Sequence, residues 1–132
     1  MRIFAILAAV LAFALPVQAQ QKDIEAVIAS QLQYFQKDDF AGAFTHAAPN
    51  IKQIFRTPER FGQMVTNGYP MVHRPAEIQF KELETNAGVQ VQNVLIRDLK
   101  GTYYLAQYTM VMVDGEWQIA GVNIVPAQGV GV

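Results

Sequence analysis

The period of the hydrophobic positions changes once along this chain, at Pro75, and divides it into a helical first part and a β-strand second part. From Asp23 to Lys37, Ile24, Val27, Ile28, Leu32 and Phe35 recur every three or four residues, the spacing of one helical stripe, and Gln31 falls on that stripe. Asp38-Asp39 interrupts it. Phe40 to Ala47 then reads as a short second helix, with one of the aspartates accepting from its free N–H groups and Pro49 ending it. Ile51, Ile54 and Phe55 continue an apolar face. Thr57-Pro58-Glu59-Arg60 is a fresh helix start, with Thr57 as cap and Pro58 at the first position, and Asn67-Gly68 stops this third helix. Pro70 and Pro75 bracket Met71 to Arg74, a segment expected to be extended.

Beyond Pro75 the pattern alternates. Ala76 to Glu84, Val89 to Arg97, Thr102 to Val113 and Glu116 to Val125 are strand candidates rich in β-branched and aromatic residues. The joins Thr85 to Gly88, Asp98 to Gly101 and Asp114-Gly115 are turn sequences, so consecutive strands pair as an antiparallel meander. Helices first and strands second predicts an α+β fold with three N-terminal helices on one face of a curved four-stranded sheet.

The turns also predict a register. A two-residue turn at Asp114-Gly115 sets Met112 opposite Trp117, Met110 opposite Ile119, Tyr108 opposite Gly121 and Ala106 opposite Asn123. A three-residue loop at Leu99-Lys100-Gly101 sets Asp98 opposite Thr102 and Gln92 opposite Tyr108; a four-residue loop would turn Asn93 inward instead. The predicted inward face then mixes Gln90, Gln92, Tyr108 and Asn123 with Val94, Ile96, Met110, Trp117 and Ile119. On the outer face Leu95, Leu105 and Ile124 fall side by side, near Val91, Thr109, Ala120 and Val122. Such a patch predicts a homodimer through the outer sheet face.

Ahead of the first helix, Arg2, the apolar run Ile3 to Leu15 and the small residues of Val17-Gln18-Ala19 read as a signal peptide over residues 1–19, hence a periplasmic or secreted protein. The run is shorter than the roughly 20 residues of a spanning helix. One domain over 20–126 and a glycine-rich tail over 127–132 follow. Loss of Arg2 leaves nine Lys and Arg against eleven Asp and Glu, with the cations dispersed, which speaks against nucleic acid as a partner. There is no cysteine, so neither disulfides nor thiol chemistry enter. Two histidines, His46 and His73, do not make a metal site, and no cofactor is expected.

Three helices, a curved sheet and the residues Tyr108, Asp114, Gly115, Trp117 and Ile119 resemble the nuclear-transport-factor-2-like (SnoaL-like) superfamily of cone-shaped α+β domains. The order of Gln31-Leu32, Phe35, Asp38-Asp39, Ala43-Phe44, Ala48-Pro49, Phe55, Phe61, Met64-Val65, Tyr69, Arg74-Pro75, Phe80, Gln92, Val94, Tyr108 and Trp117 to Gly121 is similar to the secreted bacterial family called domain of unknown function 4864. The resemblance implies a pocket between helices and sheet, and no established activity.

In such a pocket Gln31, Gln92, Tyr108, Trp117 and Asn123 would stand near one cavity, with Arg74 at its rim either meeting an anionic group or, as is commoner, held in a surface salt bridge. The glutamines either orient a ligand or satisfy one another and buried backbone; Trp117 and Tyr108 read more readily as core. No inward strand position supplies a carboxylate, and no catalytic residue is assigned. The reading is an exported, non-catalytic domain that binds a small organic ligand in an apolar pocket, assembles as a dimer, or both. One alternative is a small isomerase or lyase of the ketosteroid-isomerase or dehydratase type, with His46 or His73 as base and Tyr108 as donor. Another is a structural dimer whose helices dock on a cell-envelope partner.

Overall fold

A computed structural model describes residues 17–127. The expected stripe forms α1 (Val17–Gln36), which buries Ile24, Ile28, Gln31, Leu32 and Phe35. The helix starts before the predicted cleavage point after Ala19; residues 1–16 of the expected signal peptide and 128–132 of the expected tail lie outside the described residues. Ala127, assigned to that tail, is buried and donates its N–H to Tyr103 O at 3.2 Å. No helix among the described residues is long and apolar enough to cross a membrane.

Asp38 turns the chain with φ +54°, and Asp39 caps α2 (Phe40–Thr45) by accepting from Gly42 N at 2.9 Å. Pro49 then opens a separate helix, α3 (Pro49–Phe55). Thr57 caps α4 (Pro58–Gly68) through Arg60 N at 3.2 Å, with Pro58 in the first turn as expected. The segment predicted to be extended is instead a one-turn helix, α5 (Pro70–His73). The reason is positional. Pro70 occupies the first helical position, where its fixed φ suits a helix and its missing N–H is not needed. Pro75 restricts only Arg74, which lies past the helix with φ −138° and ψ 72°.

Strands β1 (Glu77–Asn86), β2 (Val89–Arg97), β3 (Tyr103–Val113) and β4 (Glu116–Pro126) form the expected meander in the order β1-β2-β3-β4, each pair antiparallel. Asp114 and Gly115 take φ +50° and +81°, the paired positive angles of a tight hairpin turn. Asp98 N bonds Thr102 O at 2.9 Å, and the β2–β3 register sets Gln92 opposite Tyr108 as predicted. The first hairpin is tighter than predicted, since β1 runs on to Asn86 and only Ala87-Gly88 turns.

The β3–β4 register follows the prediction through Met110↔Ile119 and then slips by one residue. A bulge at Ala120 puts Gly121 opposite Thr109, Val122 opposite Tyr108 and Ile124 opposite Ala106. Because side chains alternate faces, the extra residue turns the rest of β4 over. Asn123, expected inward, therefore faces out and donates to Gln107 at 2.9 Å; Val122 and Ile124, expected outward, pack against the core. Helical groups engage this kink: His46 O and Ala48 N bond Ile119, and Asn50 Nδ2 donates to Ala120 O.

The core lies between α1, α2, α4 and α5 and the inner sheet face, around Ile28, Phe35, Phe61, Val94, Ile96, Tyr108 and Met110. On the outer face Leu95 and Leu105 are adjacent, as predicted, but Val125 rather than Ile124 completes their row, and it is 37% exposed.

Candidate functional site

A cavity of about 310 Å³ opens between the helices and β4. Its walls follow from local sequence choices already described. α1 brings Gln31 and Phe35; the α2–α3 junction brings Ala47; α3 brings Ile51, Ile54 and Phe55. Phe61, Met64 and Val65 come from α4, Tyr69 and Val72 from the α5 turn, and Ile119, Gly121 and Val122 from β4. The bulge supplies Val122 to this wall, since an unbroken alternation would have turned it out. Phe35 and Phe55 each pack a ring on Phe61, with centroids 5.8 and 5.9 Å apart. Ile54 is 66% exposed while lining the cavity, so α3 forms its mouth.

Of the six residues singled out from sequence, Gln31 alone lines this cavity. It is buried, and its Nε2 donates to Ala43 O at 3.2 Å. Gln92 is fully buried behind the wall. Its Nε2 donates to Lys81 O and Asn93 O, both at 2.9 Å, while Asn93 Nδ2 donates to Glu82 O at 3.1 Å. Lys81 and Glu82 are the residues at which the β1–β2 register shifts. The two buried amides therefore satisfy carbonyls released by that bulge, which makes Gln92 a structural brace rather than a cavity residue.

Tyr108 and Trp117 pack into or against the core and do not line the cavity; Tyr108 Oη and Trp117 Nε1 are buried without partners. Burial pushes the Tyr108 phenol far above its ordinary pKa, so it stays protonated. Asn123 is on the far face of the sheet. Arg74, expected at the rim, is committed elsewhere: Nη1 donates to Phe35 O at 2.6 Å and Nη2 to both Asp38 carboxylate oxygens at 3.1 and 3.2 Å.

Neither histidine lines the cavity. His73 Nε2 is 2.7 Å from Asp38 Oδ1, and this hydrogen bond, with Arg74 adding to it, holds the Asp38 carboxyl below the usual carboxylate range. His46 Nε2 is 2.9 Å from Ser30 Oγ; burial holds its pKa below the ordinary imidazole value, with Lys52 acting the same way and Glu116 opposing. Among the described residues no group of three or more His, Cys, Asp or Glu is placed to hold a metal ion.

Sequence reasoning missed most of the wall. Ile51, Phe55, Phe61 and Met64 were visible as apolar helical positions, but periodicity does not separate a side chain that fills the core from one that borders a void.

No curated protein matches the sequence. Among solved structures, the chain is similar to the crystal structure of a hexachlorocyclohexane dehydrochlorinase (LinA) of type 2, at 16% identity and a TM-score of 0.44, over 86% of this chain and 92% of that one. The model of a family described as a domain of unknown function (DUF4864) matches residues 17–132. The chain belongs to that family.

Proposed function

We propose that this chain is an exported domain that binds a small, largely apolar organic ligand, without catalysis, and pairs with a second copy through its outer sheet face. The observation that carries the ligand reading is the cavity itself. At about 310 Å³ it lies at the lower end of the range for small-molecule sites, and apart from Gln31 and Tyr69 its lining is apolar. An apolar cavity of this size is costly to keep empty of ligand, because its walls forgo contacts that a filled core would make.

One observation favours the isomerase or lyase alternative: a carboxylate bonded to an imidazole, as in Asp38–His73, is the arrangement of an oriented general base. Against it, His73 does not line the cavity, His46 is paired with Ser30, and the Tyr108 hydroxyl is buried behind the wall. Binding is therefore the better reading.

Native mass spectrometry of the chain recovered from its exported fraction, followed by denaturing extraction, tests this. A dimer releasing one small molecule per subunit is the expected result. An empty dimer would leave assembly as the role, and an empty monomer would refute both halves.

A further inference from the structure

From the chemistry of the cavity wall we infer the class of ligand: a neutral, apolar alcohol or phenol whose hydroxyl is read by Gln31. This rests on the cavity being a ligand site, as proposed above, and goes beyond it in naming what the ligand must carry.

Among the described residues no Lys, Arg, His, Asp or Glu lines the cavity. A carboxylate, phosphate or ammonium group drawn inside would lose its hydration and find no counter-charge, so the interior does not accommodate an ionised group. Arg74, the cation expected at the rim, already bonds Asp38 and Phe35 O. An aliphatic amine, charged at neutral pH, is excluded on the same ground.

Two side chains offer polar atoms, and they differ in position. Tyr69 is half-buried at the α4–α5 turn, whereas Gln31 is 3% exposed, on the buried stripe of α1. The orientation of the Gln31 amide is set by its partner. Ala43 O accepts a hydrogen bond, so the atom 3.2 Å from it must be Nε2, and Oε1 is the atom left over. Among the described residues no side chain or backbone N–H donates to that Oε1. A ligand atom facing it must therefore donate. A hydroxyl fits best: it donates to Oε1 and accepts the second N–H of the same amide, matching both free functions of the side chain. A site built to bond a hydroxyl rejects the analogue lacking it, because its own polar group is then left unpaired.

Size narrows the class. At about 30 Å³ per water, the cavity holds on the order of ten waters, or a ligand of roughly ten to fifteen non-hydrogen atoms. The Phe35, Phe55 and Phe61 rings line much of the remainder, which suits a fused-ring or alicyclic body.

Naphthalene, 2-naphthol and 2-naphthoate share one body and differ only in the group offered to Gln31, so calorimetric titration of the protein with each tests the inference. The expected result is 2-naphthol bound at least about tenfold more tightly than either of the others. In Gln31→Met the preference for 2-naphthol over naphthalene should disappear while naphthalene affinity is kept, which also shows that the cavity has remained folded. Ala43 O keeps the His46 N–H as a donor at 3.2 Å in that variant. Tyr69→Phe should retain the preference. Equal binding of naphthalene and 2-naphthol, or tightest binding of 2-naphthoate, would overturn the ligand class while leaving the cavity a ligand site. Loss of the preference in Tyr69→Phe but not in Gln31→Met would overturn the role of Gln31. Failure of all three compounds to bind would instead remove the ligand reading from which the class was drawn.

Discussion

At the scale of single residues, two glutamines that look alike in sequence have opposite jobs. Gln31 and Gln92 both interrupt apolar stripes, and both are buried. Gln92 spends its amide on two carbonyls near the β1 bulge, whereas Gln31, on the cavity wall, spends only its Nε2, on Ala43 O. Gln92→Met removes two neutral hydrogen bonds and one unpaired Oε1, so a net loss of about 1 kcal/mol is expected in urea denaturation, with ligand binding unchanged. His46 makes stability depend on pH. Its folded pKa is lowered, chiefly by burial, so below about pH 6.5 the unfolded chain takes up a proton that the folded chain resists. Stability is then full above that pH and falls as the pH drops through the window between the unfolded and folded values. The urea midpoint should decline from pH 7.5 to pH 5.5, and His46→Gln should flatten that decline; an equal slope in both proteins would contradict the assignment.

At the scale of elements, the joint between α3 and α4 governs the cavity mouth. Arg56 sits there with φ +69° and ψ −38°, and Thr57 N bonds Phe55 O at 2.8 Å across it, a γ-turn of the strained hand. Relief of that geometry outweighs the added freedom of a glycine in the unfolded chain, so Arg56→Gly should stabilise the fold by about 0.5–1 kcal/mol, read as a raised midpoint in thermal denaturation. Two helix-starting prolines show how far element boundaries were legible. Pro58 and Pro70 both start helices by the same rule, yet only Pro58 follows a capping Thr; Tyr69 before Pro70 makes no side-chain cap, so nothing local announced α5. Strand register was legible up to Met110↔Ile119, because turn chemistry fixes the pairs nearest the turn. The bulge beyond it has no comparable local marker, and with it went the facing of Val122, Asn123 and Ile124.

At the scale of the whole molecule, the outer face keeps the Leu95–Leu105 pair, continued by Val125. If copies meet there, light scattering after gel filtration should give a dimer, and Leu105→Glu should give a folded monomer; a wild-type monomer at tens of micromolar would end the dimer reading. The sequence by itself determined the α+β class, the meander order, the buried stripe of α1, a cap from the Asp38-Asp39 pair and one at Thr57, and the tight Asp114-Gly115 turn, since each depends on residues within a few positions of one another. Tertiary structure alone decided the bulges, the commitment of Arg74 to Asp38, the β1 carbonyls that the Gln92 and Asn93 amides bond, and the cavity. These depend on how a curved sheet meets the helices that cover it. A void is what several apolar faces fail to fill together, and no one of those faces records it.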